Sequence, residues 1–423
     1  MKNLSKKIEE TIPVAIANDI LVNVPVGGNA NMAVIGPPGC GKTFSNLLPN
    51  LLLSTNCSMV VDDKKGYLYR CTKDYFVEKG YQVFKFDTIH FEASCVRYNP
   101  FDSIKNKDDI LRIVNMLLPE SLTGNDPFWI ISARDLAASL IEIGIHLTNK
   151  TGETFNLEIF FELMHSIGKN PEKEDVIDEL ILELEEDGKL FQGMEDYGRL
   201  KQCSEHTWAS IVVTLEACMQ RYRSSDIMEM TKQTTMNLKS LGETKTILYV
   251  VSSDIDDSKY PLVQLFYNDI CHQLVDFADT ECSRNGDRLP HHVRFLIDDF
   301  ASGVQMNHFP GIIANCRSRN ISYMICFQSI AQLNALYGLY ADSILDCMEF
   351  QIFYPTTNIS TVDYISKAAN LPREEIIKMK ETQVCILQRC NEARIGDRTC
   401  VTKMPEYKMA YNCGKKISKK KGV

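Results

Sequence analysis

The chain has 423 residues, 44% hydrophobic and 24% charged, enough apolar content for a sizeable core spread over two or three domains. A formal net charge of −9 and a pI near 5.5 exclude a bulk polyanion binder, so any nucleic-acid contact must come from a local basic patch or a channel lining. The 15 cysteines are scattered without a C-x-x-C pair, which removes zinc-site spacing and favours reduced thiols in a cytoplasm; even the nearest pair, Cys385 and Cys390, reads as ordinary thiols.

The first ten residues, MKNLSKKIEE, lack the apolar core of a signal peptide and read as a mixed-charge helical start. The segment DILVNVPVGGNAN is strand-like and turn-rich. Met32 to Ile35 is a short apolar run suited to a buried strand, and it leads into Gly36-Pro37-Pro38-Gly39-Cys40-Gly41-Lys42-Thr43. That octet fits G-x-x-x-x-G-K-[ST] between a strand and a helix beginning at Phe44, the context a phosphate-binding loop requires. Glycines let the backbone wrap a phosphate with its N–H groups inward, and the helix N-terminus adds partial positive charge. Lys42 then reaches the β- and γ-phosphates while the Thr43 hydroxyl ligates Mg²⁺. The loop and Phe44 form the expected nucleotide-binding segment. Pro49 is expected to kink or end the following helix near Asn46 to Leu48.

Ser58 to Asp62 and Gln82 to Phe86 read as further strands, which with the intervening helices mark a mostly parallel sheet covered on both faces. From about Phe101 to Leu241 the strand signal disappears. Helical stretches follow at Asp108 to Leu118, Phe128 to Leu147, Asn156 to Ser166, Glu172 to Glu186 and Cys203 to Arg221, an all-α insertion spanning 103–241. Phe128 to Leu147 is the most apolar long stretch, but Arg134, Asp135 and Glu142 interrupt it, so it reads as a buried helix and not a bilayer span. Within the insertion, Val176, Ile177, Leu180, Ile181 and Leu184 share one helical face opposite an acidic face, read as solvated, with a dock for a basic partner as the alternative.

The sheet pattern resumes at Thr246 to Ser252, Val293 to Ile297, Ile321 to Phe327 and Phe350 to Tyr354, with Gln383 to Gln388 as a late strand. Residues 1–102 and 242–400 thus form one α/β nucleotide-binding domain. Residues 401–423 read as a basic, flexible tail, with five lysines from Gly414 onward. The strand Val293 to Ile297 ends in Asp298 and Asp299. Asp298 fits the acid that holds Mg²⁺, and Asp299 is placed to polarise an attacking water. Gln328, ending the strand Ile321 to Phe327, is positioned to sense a γ-phosphate. Arg317 and Arg319, just before that strand, are equal candidates for an arginine supplied to a neighbouring subunit's nucleotide.

Taken together, NMAVIGPPGCGKT, PNLLLSTNCSMVVDDKKG, YNPF, DPFW, FLIDDFAS and NCRSRNISYMICFQSIAQLNALYG resemble the TraG-like coupling ATPases of conjugative type IV secretion systems over about residues 31 to 370. The resemblance implies a RecA-like P-loop NTPase fold with an inserted all-α domain, a hexameric homo-oligomeric ring, and ATP with Mg²⁺ as cofactors. It implies hydrolysis driving single- or double-stranded DNA, or a relaxase with its strand, towards type IV secretion channel components. By the same resemblance Lys42, Asp299, Gln328 and Arg317 are catalytic, Thr43 and Asp298 hold the metal, and Pro49 has a family counterpart. Three departures stand out. No N-terminal membrane helix is evident, so a cytoplasmic protein recruited to the inner face of the membrane is expected. Asp299 replaces the usual Glu. Asp63-Lys64-Lys65-Gly66-Tyr67 replaces Asp-Pro-Lys-Gly-Glu. Two alternatives to a DNA motor are a coupling ATPase for protein effectors and a poorly hydrolysing nucleotide-binding assembly module.

Overall fold

The computed structural model describes residues 11–17, 20–25, 27–119, 126–301, 306 and 308–420, with backbone alone for 414–420. The charged start at residues 1–10 lies outside the described residues. By contacts the chain divides into two units, one of Met1–Cys95, Asn237–Tyr260 and Ile270–Val423, the other of Val96–Met236 and Pro261–Asp269. The boundaries fall at 96 and 236, earlier than the 103 and 241 expected, and one stretch of the helix Tyr260–Glu281 joins the helical unit.

The first unit begins with a hairpin, β1 (Thr11–Ala17) and β2 (Ile20–Pro25), paired antiparallel. Its main sheet comprises β3 (Met32–Ile35), β4 (Ser58–Lys64), β5 (Gln82–Asp87), β6 (Thr246–Ser252), β7 (Val293–Ile297), β8 (Ile321–Phe327), β9 (Phe350–Phe353), β10 (Gln383–Gln388) and β11 (Arg394–Asp397). Their order across the sheet is β11-β10-β9-β3-β8-β7-β4-β6-β5. Pairing is parallel from β9 to β5, and β10 and β11 add an antiparallel edge. β3, β6, β7 and β8 are buried throughout, which is why they read as continuous apolar runs. One sheet face, including Met32, Val34, Met59, Val61, Leu296, Met324 and Ile352, packs with Leu47, Leu48, Leu51 and the hairpin residues Val14 and Ile16 into one core. Arg294 on β7 is fully buried beneath it, donating to Asn50 Oδ1 (3.0 Å), Ser54 Oγ (3.2 Å) and the Pro13 carbonyl (3.2 Å). This cation ties β7 to both the hairpin and the helix Leu48–Leu53.

Three local expectations are corrected. Of the two outcomes expected of Pro49, a kink or an end near Asn46 to Leu48, the helix does not end; its geometry changes there instead. Thr43–Leu47 forms a π-type turn, the Leu48 N–H bonds the Thr43 carbonyl, and an α-helix follows over Leu48–Leu53 with Pro49 in its first turn. Widening the turn relieves the clash between a proline ring and the carbonyl four residues earlier, and the missing N–H costs little in a first turn. Residues Pro405–Lys420, expected as a flexible tail, are helical. Ala410 and Cys413 are buried, Cys413 Sγ lies 3.1 Å from Glu78 Oε2, and the helix packs on Tyr67–Glu78. The lysine run masked this short apolar face. The antiparallel strands β1 and β11 were not foreseen: Pro13 interrupts the apolar run of β1, and β11 is short and mostly exposed.

In the second unit, helices occupy Lys107–Leu117, Pro127–Thr151, Leu157–His165, Val176–Glu186, Gln192–Leu200, Glu205–Met219 and Ser225–Met230, with no strand among the described residues. Pro127–Thr151 is the hub, packing against Gln192–Leu200 and Glu205–Met219. The Asp126 side chain caps it by accepting from the Phe128 N–H, with Pro127 at its first turn. That capping accounts for the motif DPFW. In YNPF, Tyr98 is buried against Phe266, and Asn99 Nδ2 donates to Asp102 Oδ1 (2.6 Å) and the Phe155 carbonyl (2.7 Å). On the acidic helix only Ile177 and Leu184 are buried; Val176 and Leu182 are exposed, so its buried face is narrower than the periodicity suggested.

Gly144, in the middle of the hub helix, is required by packing, since a Cβ there would lie 2.2 Å from the Phe155 ring. In an open helix Gly→Ala stabilises by about 1 kcal/mol. Here Gly144→Ala is expected to destabilise by about 1–3 kcal/mol instead. Both tryptophans, Trp129 and Trp208, lie in this unit, so urea unfolding followed by tryptophan fluorescence measures it directly. A midpoint raised by the substitution would contradict this packing.

Candidate nucleotide site

The site forms at the carboxyl ends of β3, β8 and β7, three neighbouring parallel strands. β3 delivers the phosphate loop. Gly39 and Gly41 adopt φ of +75° and +94°, which favour glycine. Gly36 is required for another reason, because a Cβ there would meet Tyr354 Cβ at 2.6 Å and Cys40 Sγ at 2.8 Å. The Gly36 N–H donates to the Phe327 carbonyl at the end of β8 (3.1 Å), which joins the loop to the strand beside it. Pro38 and Gly39 are exposed, and Pro37 accepts the Cys40 N–H (3.4 Å).

Lys42, only 7% exposed, folds back so that Nζ donates to the Gly36 carbonyl (2.6 Å) and the Pro37 carbonyl (3.2 Å). Phosphate oxygens would replace those carbonyls by exchange of partners, so the ammonium need never be stripped bare. Phe44 is 44% exposed, with its ring 5.7 Å from that of Tyr67.

β7 delivers the acids. Thr43 Oγ1 donates to Asp298 Oδ2 at 2.6 Å, across 255 positions of sequence. Burial holds the Asp298 carboxyl above the usual carboxylate range, and the Thr43 hydroxyl opposes that shift. Asp299 stands in the left-handed region at φ +51°, its N–H donating to Asp298 Oδ1 (3.2 Å). The pair of hydroxyl and partly desolvated carboxylate is the donor set that a hard divalent cation takes, and such a cation would offset the cost of burying Asp298.

β8 delivers Gln328. Its N–H donates to Gln332 Oε1 (2.9 Å), while Ser329 caps the helix Ile330–Tyr337 by accepting the Gln332 N–H (3.2 Å). Ser329 thus fixes the helix start and Gln332 holds the backbone at Gln328, which accounts for the second glutamine of Gln-Ser-x-x-Gln. Arg317 does not join this group. It sits in the turn Cys316–Arg319 at the opposite end of β8, about 20 Å from Gln328 at ordinary strand rise. The two arginines of that turn differ. Arg319 makes a bidentate pair with Asp279 (2.8 and 2.7 Å), whereas Arg317 is exposed and has no side-chain partner among the described residues.

Three charged residues near the site escaped the sequence reading. Asp62, 2% exposed at the end of β4, is pushed up to about 7 by burial, against its partner Lys64 at 3.5 Å, with Asp298 and Asp63 adding like charge. Lys64 also donates to Ser252 Oγ (2.9 Å) and lies 5.3 Å from the centre of the Tyr260 ring. Arg398, just past β11, donates to the Cys40 carbonyl of the phosphate loop (2.8 Å). The neighbouring Asp63, by contrast, is structural. Its two oxygens accept the Leu68 and Tyr69 N–H groups and start the helix Tyr67–Glu78.

The Asp62 shift sets a pH dependence. Its folded value lies above the ordinary 3.8, so its contribution to stability is complete below about pH 4 and is lost as pH rises through about 7. Asp62→Asn is expected to flatten that fall, and urea midpoints followed by circular dichroism between pH 4 and 8 measure it. Parallel pH profiles for the two proteins would rule out a strained carboxyl at this position.

No curated protein matches the chain by sequence. Among solved structures, the bacterial conjugative coupling protein TrwBdeltaN70 in an unbound monoclinic form is similar, with TM-score 0.65, 15% identity, and coverage of 96% of this chain and 93% of that one. TrwB in complex with ADP and Mg²⁺ gives TM-score 0.59 at 16% identity, covering 90% of this chain and 91% of that one. VirB4 of Thermoanaerobacter pseudethanolicus gives TM-score 0.52 at 15% identity, covering 94% and 98%. These likenesses establish the RecA-like P-loop fold that the strand order displays. No helix among the described residues is long and apolar enough to cross a membrane. The family described as Type IV secretory system Conjugative DNA transfer matches residues 6–369, and with the phosphate loop and Asp298 brought together inside that span, the chain belongs to this family.

Proposed function

We propose that this protein is an ATP-hydrolysing coupling protein that translocates DNA, or a relaxase with its strand, towards a type IV secretion channel. The observation that carries the reading is the 2.6 Å contact between Thr43 and Asp298, which joins the two halves of a nucleotide site within a conjugative DNA-transfer family. Structures of TrwB with a GTP analogue, an ATP analogue, and ADP with Mg²⁺ support the same ligand class for this fold.

Catalysis in this reading is positioning and charge stabilisation. The loop from Gly36 to Thr43 cradles the phosphates, and Lys42 exchanges its two carbonyl partners for phosphate oxygens. Thr43 and Asp298 would hold Mg²⁺, whose contribution is to neutralise charge on the phosphate oxygens. Asp299 orients the attacking water, and Gln328 reports the γ-phosphate to the helix that follows it. Arg317, remote from its own loop and unpaired, serves a neighbouring subunit's nucleotide in a homo-oligomeric ring. DNA would contact loops lining that ring, which fits the acidic overall charge.

Lys42→Ala is expected to abolish hydrolysis while leaving the circular dichroism spectrum intact. Mixing Lys42→Ala with Arg317→Ala should recover part of the turnover, since some interfaces then combine an intact loop with an intact arginine. Two inactive proteins that stay inactive when mixed would remove the role in trans. Single-stranded DNA added at low salt should raise ATPase turnover; unchanged turnover would favour a protein-effector motor.

A second reading, a slow nucleotide-driven assembly module, is motivated by Asp299. A carboxyl one methylene shorter than Glu reaches less far towards a water. Asp299→Glu is expected to raise kcat several-fold or more, and a lower kcat would show that the local backbone is built for the shorter side chain.

A further inference from the structure

A phosphate loop works only if its peptide planes are turned correctly, because it binds through backbone N–H groups. In a trans peptide the carbonyl and the following N–H point in opposite directions, so fixing one aims the other. The Cys40–Gly41 peptide is held in this way from outside. Arg398 Nη1 donates to the Cys40 carbonyl at 2.8 Å, and the same nitrogen lies 3.3 Å from where a Cβ on Gly41 would sit. The guanidinium therefore covers the outer surface of the loop at the glycine with φ +94°.

The arginine is itself anchored. Its N–H donates to the Thr382 carbonyl (2.8 Å), immediately beside the pair Gln383 and Asp397 that begins the β10–β11 ladder. No carboxylate lies within ion-pair distance of Arg398 among the described residues, so its charge is left to act on the loop. A hydrogen bond from a charged donor to a carbonyl is also stronger than one between neutral groups.

We propose that Arg398 is a positioning residue for nucleotide binding: it holds the Cys40 carbonyl outward, aims the Gly41 N–H into the phosphate cradle, and makes the β10–β11 edge part of the site. This rests on the nucleotide-binding reading of the loop. A free loop would pay to turn that peptide each time a triphosphate binds, whereas this one is already turned.

Equilibrium titration with a fluorescent ATP analogue and Mg²⁺ tests the idea on the full chain. Arg398→Ala is expected to raise Kd about tenfold, equivalent to about 1.4 kcal/mol, with kcat at saturating ATP falling less than Kd rises. The nucleotide-free melting temperature should change little, and Arg398→Lys, which keeps the charge and one donor, should bind between the two. Wild-type binding together with Arg398→Ala and Arg398→Lys binding within twofold of it would overturn the inference while leaving the nucleotide site standing. Failure of the wild type to bind would overturn the nucleotide reading and the inference with it.

Discussion

A single hydroxyl-to-carboxylate contact, Thr43 Oγ1 to Asp298 Oδ2 at 2.6 Å, depends on nearly everything else in the nucleotide-binding unit being correct. The two residues lie on loops leaving β3 and β7, which are not neighbours; β8 runs between them. Parallel pairing puts the carboxyl ends of all three strands at one edge, and register fixes how far each loop projects. Ile35 pairs with Phe327 and Ile297 with Ile325, so β3 and β8 end together while β7 ends two residues earlier, which leaves room for Asp298 and Asp299 to rise to the level of the phosphate loop. A one-residue slip would turn each side chain to the other face of the sheet and separate the acid from the hydroxyl.

The edge so formed is electrostatically costly. Asp62, Asp63 and Asp298 all lie above the ordinary carboxylate range, chiefly because they are buried. Such crowding weakens a fold unless function needs it, and a divalent cation beside Asp298 is the need that fits. Beneath the site the same strand solves the opposite problem. Arg294 carries a buried positive charge whose two terminal nitrogens donate to an amide oxygen, a hydroxyl and a carbonyl, with no acid among its hydrogen-bond partners and Nε left without one. Its reach from β7 to the hairpin and to the helix after the phosphate loop gives both halves of the site one foundation.

Much of this was legible in the chain itself. β6, β7, β8 and β10 have the limits expected of them, because each is built on a short, mostly apolar run that stands out from its polar surroundings. Elements held by other means were harder to see. The π-type turn before Pro49 is a compromise between a proline and a helix, decided by packing of Leu47 and Leu48 in the core. The helix Pro405–Lys420 exists because Ala410 and Cys413 find the helix Tyr67–Glu78, and nothing in a lysine-rich segment announces that partner. Arg317 and Arg319, equal by spacing, differ only because Asp279 lies within reach of one of them.

The sequence by itself determined the chemistry on offer: a glycine-rich loop ending in Lys42 and Thr43, an apolar strand ending in Asp298 and Asp299, and the family to which those motifs belong. Local composition sets these, since glycine freedom, side-chain length and charge need no neighbours. Which groups meet was decided by the tertiary structure alone. Asp62 and Lys64 beside the acids, and Arg398 on the Cys40 carbonyl from 358 residues away, are products of strand order and register. The physical reason is that hydrogen bonds and charge pairs act over a few ångströms of space, and only the folded sheet converts distance along the chain into that proximity.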